Sequence, residues 1–228
     1  SVIALCIVLL VKYGFSERIP LKNYLIMAFA IGLALLSKYT AFFVFITAIT
    51  VFGLRMFNRL NRKSELRSFL IFSTVVFAIC GWLYIRNLVI FGDPFIGNWD
   101  EKSNYHYEQL HGYRTLGFYL KFGSVFFHEP ERSQWASFWD GQYGSMWGDS
   151  HDNFLRTDEV RIKKLEMVVI YLALLPTAAI LLGFLQSLKR VIRSWRSQPA
   201  LVLVMVSVLT MISLFSFTME VPFFSTIK

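Results

Sequence analysis

The chain has 228 residues, of which 55% are hydrophobic and only 17% charged, with a mean hydropathy of +0.50. That balance excludes an ordinary soluble domain, which carries more charge and fewer rings than 23 Phe, 10 Tyr and 6 Trp. A net charge of +8 would suit nucleic acid, but the cations cluster beside apolar runs, which is the pattern of membrane orientation, so no nucleic-acid partner is expected.

Val2 to Val11 is apolar but too short to cross a bilayer alone, and reads as the tail of a truncated helix. No basic region stands before it and no small-residue cleavage site follows, so it is not expected to be a signal peptide. Lys12 to Lys22 is a polar turn containing Pro20. Leu21 to Ser37 is an apolar, Ala/Leu-rich run near spanning length. Lys38-Tyr39-Thr40 interrupts it, and Ala41 to Phe57 is apolar again. A basic turn with Arg55, Arg59, Arg62, Lys63 and Arg67 follows, with one Glu among them. Leu66 to Phe91 is a long span that stops at Gly92-Asp93-Pro94. The large polar segment comes next, and then spans at Leu165–Leu188 and Leu201–Phe217, separated by Lys189, Arg190, Arg193 and Arg196. Cys6 and Cys80 both lie in apolar runs and read as small hydrophobes.

Nothing alternates with the period of a barrel strand, so the apolar runs read as helices. The expected fold is all-α: a polytopic transmembrane helix bundle of about five to six spans with one long extracytoplasmic loop. Residues 1–92 and 162–217 supply the helices, 93–161 the loop, and 218–228 the start of a further outer segment. The chain opens inside an apolar run and closes soon after another, so an internal fragment of a longer protein is expected.

Three short basic turns, at 12–22, 55–67 and 189–196, fall on one side of the spans, which places that side in the cytoplasm. Lys38, the loop and the C-terminal tail then share the opposite side. The loop carries eleven Asp/Glu against six Lys/Arg and sixteen rings in 69 residues. Within it Leu116 to Phe127 is too apolar for a free loop and suits a short helix in the membrane interface. Ser137 to Asp149 mixes Gly, Trp and Asp as an ordered, turn-rich loop does.

Arg86 and Asn87 sit roughly 9 Å inside the end of their helix at 1.5 Å per residue. A charge at that depth either snorkels to the headgroups or serves a site. Lys38 breaks an apolar hairpin at its turn, where an ammonium is either an interfacial lysine or a grip on a lipid phosphate. Lys228 falls on the same face. Asp93, Asp140, Asp149 and Asp152 are the outer carboxylates able to serve as a base or to bind a sugar hydroxyl, although Asp93 before Pro94 also suits a turn. His106, His111, His128 and His151 match no tight ligand spacing, so no metal is expected.

Gly81-Trp82-Leu83-Tyr84-Ile85-Arg86-Asn87 with Phe91-Gly92-Asp93-Pro94 resembles a "GWWYxRN…YGDP" signature of polytopic GT-C glycosyltransferases. These are the broad group of dolichyl-phosphate-mannose protein mannosyltransferases and aminoarabinose transferases. Gly32 to Thr40 looks like that group's "GLALLTKYT" hairpin, and Pro222 to Lys228 like its "PxFSTVKA" segment. The resemblance implies inverting transfer of a sugar from a polyprenyl-phosphate-linked donor on the outer face, with no cofactor. It makes Lys38, Arg86 and Lys228 candidates to hold the donor phosphate or lipid, or to shape its pocket. Asn87, Asp93, Trp139, Asp140, Tyr143, Trp147 and Asp149 are candidates to meet sugar or acceptor. In the family the catalytic Asp lies in the first outer loop, which would precede Ser1, so no catalytic residue is carried over. The expected location is the bacterial cytoplasmic membrane, with the endoplasmic reticulum as the alternative. A multispan transporter or scaffold, or a lipid-linked glycan polymerase or ligase, are the competing readings.

Overall fold

The computed structural model describes residues 2–58, 62–96, 102, 115–123, 137–148, 160–194 and 199–220. Every regular element among them is a helix. They are α1 (Val2–Tyr13), α2 (Leu21–Ser37), α3 (Ala41–Asn58), α4 (Arg62–Phe91), α5 (Leu116–Leu120), α6 (Phe138–Trp147), α7 (Val160–Leu172), α8 (Leu174–Ser194) and α9 (Ala200–Glu220). Among the described residues three stretches are long and apolar enough to cross a membrane: Arg62–Phe91, Lys164–Ser194 and Ala200–Met219. Their large side chains face outward in numbers that water would not tolerate, with Phe77, Val89, Leu175 and Leu182 each more than half exposed. This is a helical membrane protein. α1, α2 and α3 are apolar but shorter than those three.

The chain forms two compact units, residues 1–107 with 184–212, and residues 108–183 with 213–228. The first is built around α2. Pro20 precedes it in extended conformation (φ −59°, ψ 146°), and the Pro20 carbonyl accepts from Asn23 N. Small residues let the helices close up, with Ala28, Ala34, Ala41 and Ala48 essentially inaccessible. Gly32 shows how near α4 comes: a Cβ there would lie 2.9 Å from Cβ of Ile79. Tyr24, Phe52 and Phe72 fill the centre, with the Phe52 ring 4.9 Å from each of the other two. Cys6 and Cys80 are buried in the same core. Val202 of α9 joins it.

In the second unit Ser137 caps α6, its Oγ accepting from Asp140 N at 3.0 Å. Phe138 stacks on Phe215 at 4.2 Å. Tyr143 packs with Ile170 and Ala173, and Trp147 lies against that group.

Candidate functional site

Two turns of the first unit meet at one end of it. α2 stops because Lys38 turns extended (φ −160°, ψ 131°), and its amide closes the last turn onto Ala34 O. Lys38 O and Tyr39 O then accept the first bonds of α3, from Ala41 and Phe42. α4 stops at Gly92, whose φ of +75° suits a residue without a Cβ. Its N–H returns to Leu88 O at 2.9 Å. Asp93 Oδ1 accepts from Phe95 N at 2.8 Å, so this carboxylate forms the turn that Asp before Pro favours.

Asn87 joins the two turns. It is 3% exposed, and its Nδ2 donates to Tyr39 Oη and to Pro94 O, each at 3.3 Å. The Tyr39 hydroxyl donates onward to Ile96 O at 2.8 Å. Tyr84 Oη donates to Leu35 O at 3.0 Å, satisfying a carbonyl that the end of α2 would otherwise orphan. Phe95 sits among the rings of Phe42, Tyr84 and Tyr39 at 5.1, 5.5 and 6.1 Å. Lys38 and Arg86 are each the chain neighbour of one partner in the Asn87–Tyr39 bond, and both are exposed. Arg86 makes no hydrogen bond or ion pair among the described residues. A guanidinium and an ammonium, each next in sequence to a residue of a buried amide–phenol bond, are the donor types that bind a phosphate.

The other end of the unit carries the reverse arrangement. Arg55, 6% exposed, pairs with Glu65 at 2.9 Å and donates to Gly14 O at 3.1 Å and Ser16 O at 2.6 Å. Tyr24 Oη donates to Glu65 Oε2 at 2.6 Å. The Gly14–Ser16 turn therefore meets the end of α3 and the start of α4 here, opposite the Lys38 and Gly92 turns. Arg55 thus spends its donors on protein partners, a structural use.

Comparison with known proteins finds no match: no family model, no curated protein and no solved structure is similar to the chain.

The loop candidates belong to the second unit. Asp140 is fully buried, and its Oδ1 accepts from Gly123 N at 2.6 Å. Tyr143 donates to Ile170 O at 2.7 Å, and burial pushes its phenol above the ordinary tyrosine range. Trp147 packs inward, its Nε1 buried with no partner among the described residues. Trp139 is the most open of the four, though its Nε1 is held by Tyr119 O at 2.9 Å. Asp149, Asp152 and Lys228 lie outside the described residues, as do His106, His111, His128 and His151. Among the described residues no three His, Cys, Asp or Glu gather as a metal site would need.

Sequence reasoning passed over Tyr39 and Glu65. For Glu65 a signal existed, since it is the lone acid in a turn of five cations beside a span. For Tyr39 there was only its place in the hairpin turn.

Proposed function

We propose that this chain is part of a membrane glycosyltransferase that moves a sugar from a polyprenyl-phosphate donor to an acceptor on the extracytoplasmic side. On this proposal the bundle crosses the bilayer about five to six times, with α2 and α3 as an inserted hairpin. The bacterial cytoplasmic membrane is its place. The observation that supports it most is the 3.3 Å bond from Asn87 Nδ2 to Tyr39 Oη. It joins the Ser37-Lys38-Tyr39-Thr40 hairpin to Arg86-Asn87 and Gly92-Asp93-Pro94, stretches whose letters resemble the GT-C pattern, and it leaves two cations exposed beside the joint.

A polyprenyl-linked sugar arrives within the bilayer, with its phosphate at the headgroup level. As an acceptor oxygen attacks the anomeric carbon, the bond from that carbon to the phosphate oxygen breaks. The electron pair stays on the phosphate, which leaves as polyprenyl phosphate with one more negative charge. The acceptor proton passes to a base. Cations fixed at the phosphate stabilise charge that grows in the transition state. Arg86 suits two phosphate oxygens at once, and Lys38 supplies a point charge.

A transporter would line a path with polar groups across several spans. Here the hydroxyls and thiol midway along α3 and α4 bond within their own helices: Thr47 Oγ1 to Phe43 O, Thr50 Oγ1 to Ile46 O and Cys80 Sγ to Val76 O. That observation favours the transferase.

The test is polyprenyl-phosphate release by the whole protein in vesicles, against a panel of polyprenyl-phosphate sugars. Release is expected with at least one donor. Arg86→Ala is expected to slow it roughly tenfold to a hundredfold, the size of a lost charge-assisted hydrogen bond. No release with any donor, together with solute uptake by the same vesicles, would overturn the proposal in favour of transport.

A further inference from the structure

The second unit presents one apolar ridge at the level where a span ends. α5 is short, and Leu116 and Leu120 lie one helical turn apart on one face, 73% and 71% exposed. Phe122 follows at 61%, with Lys121 exposed beside it. The opposite face is packed: Phe118 is buried, and the Tyr119 ring lies 6.1 Å from Phe138 and 5.9 Å from Phe215.

Four contacts fix the direction of the ridge. Tyr119 Oη donates to Thr218 O at 3.2 Å, in the last turn of α9. Trp139 Nε1 donates to Tyr119 O at 2.9 Å. Lys121 N closes the turn onto Gly117 O, and Gly123, at φ +78°, gives its N–H to Asp140 Oδ1. The side chains at 116 and 120 are thus held outward by a polar scaffold, and Phe122 is exposed next to them.

The Thr218 contact sets the height. The apolar stretch of α9 that can cross a membrane runs from Ala200 to Met219, so Thr218 lies at its boundary. Met219, next to it, is itself 65% exposed. An exposed apolar strip held at that level, with a lysine on it, has the composition that settles between acyl chains and headgroups.

We propose that α5 is an in-plane membrane anchor, with Leu116, Leu120 and Phe122 seated in the lipid at the Glu220 end of α9 and Lys121 at the phosphates. The anchor holds α6 at a fixed height above the bilayer, because Trp139 and Asp140 of α6 grip the same turn. It does not depend on the transferase proposal.

Single cysteines at 116, 120, 121 and 122 of the whole protein, labelled with a nitroxide in phosphatidylethanolamine–phosphatidylglycerol vesicles, test it. Cys6 and Cys80 stay in place, since both are buried, and unsubstituted protein treated with the label serves as the control. Collisions with oxygen are expected to exceed those with a water-soluble nickel chelate at 116, 120 and 122, with the balance shifted toward nickel at 121. Nickel collisions dominating at 116 and 120 would put the ridge in water and overturn the anchor. Low collision rates with both reagents would mean that protein covers it, a second copy included, and would overturn it equally. Should one substituted protein fail to fold, the remaining positions carry the same test, because 116, 120 and 122 must agree.

Discussion

The two ends of the first unit solve one problem with opposite polarity. Each must tie together turns that leave backbone carbonyls unsatisfied, and each has an arginine close to a helix end. At the α3–α4 end the arginine goes inside. Arg55 is buried, paired with Glu65 and bonded to the carbonyls of Gly14 and Ser16. At the α2–α3 end the tie is neutral. Asn87 and Tyr39 take the buried positions, and Arg86 is left exposed. A guanidinium whose donors are filled by protein is a structural part. One left outside a neutral clasp is free to meet an anion. The contrast between Arg55 and Arg86 is therefore the basis for assigning function to one end and stability to the other.

The largest expected effect breaks the charged end. Arg55→Met removes the buried cation that pairs with Glu65, 15% exposed, together with its bonds to Gly14 O and Ser16 O. It should cost about 3 kcal/mol, read as a fall in unfolding temperature of the protein in detergent. Under about 1 kcal/mol the pair would be no more than a surface bridge, and the contrast would collapse. The neutral tie should yield less. Asn87→Leu removes both Nδ2 bonds, to Tyr39 Oη and Pro94 O, for about 1 to 2 kcal/mol in the same assay. A loss as large as that of Arg55→Met would show that the two ends do not differ in kind.

Tyr143 provides a neutral tie in the second unit, to Ile170 O. Tyr143→Phe should cost about 1 kcal/mol. Its phenol is raised by burial, so its protonated form is favoured more when folded than when unfolded. The stability it contributes is complete below the ordinary tyrosine value near 10 and declines as pH rises beyond that. Unfolding followed from pH 8 to 11 should show a decline in the parent protein that Tyr143→Phe reduces. An unchanged decline would remove Tyr143 as its source.

The helices were legible because apolar runs of near-spanning length leave the chain little else to form. Leu21–Ser37 is a helix with the bounds read from its letters, and Gly92-Asp93-Pro94 ends α4 as that tripeptide does. Arg86 and Asn87 stood out because polar residues are rare in such a run. Which of them turns inward was not legible, since it depends on Tyr39, 48 positions away, offering its hydroxyl. The buried role of Arg55 was hidden for the same reason. Its partners at Gly14 and Ser16 are backbone carbonyls, which every sequence has and none displays. In the loop, Asp140 and Tyr143 looked like ligands for sugar because carboxylates and phenols on a loop usually face water. A Ser137 cap and an amide from Gly123 instead hold Asp140 inside.

The smallest expected effect on stability is also the sharpest test of the comparison. Arg86 is exposed and has no bonded partner among the described residues, so Arg86→Ala should change the unfolding temperature by the equivalent of no more than about 0.5 kcal/mol. If Arg86 only snorkels to headgroups, its loss should leave donor turnover unchanged as well. If it meets the donor phosphate, turnover should fall while stability does not, and Arg86→Lys should restore part of the charge but not the two-pronged geometry. Rescue by lysine to the parent rate would point to a general field at the membrane surface. Partial rescue, with the remaining loss in the rate at saturating donor, would point to a contact that tightens as the phosphate leaves. A large loss of stability in Arg86→Ala would mean that this guanidinium, like Arg55, has a structural partner, and the two ends of the unit would then be alike.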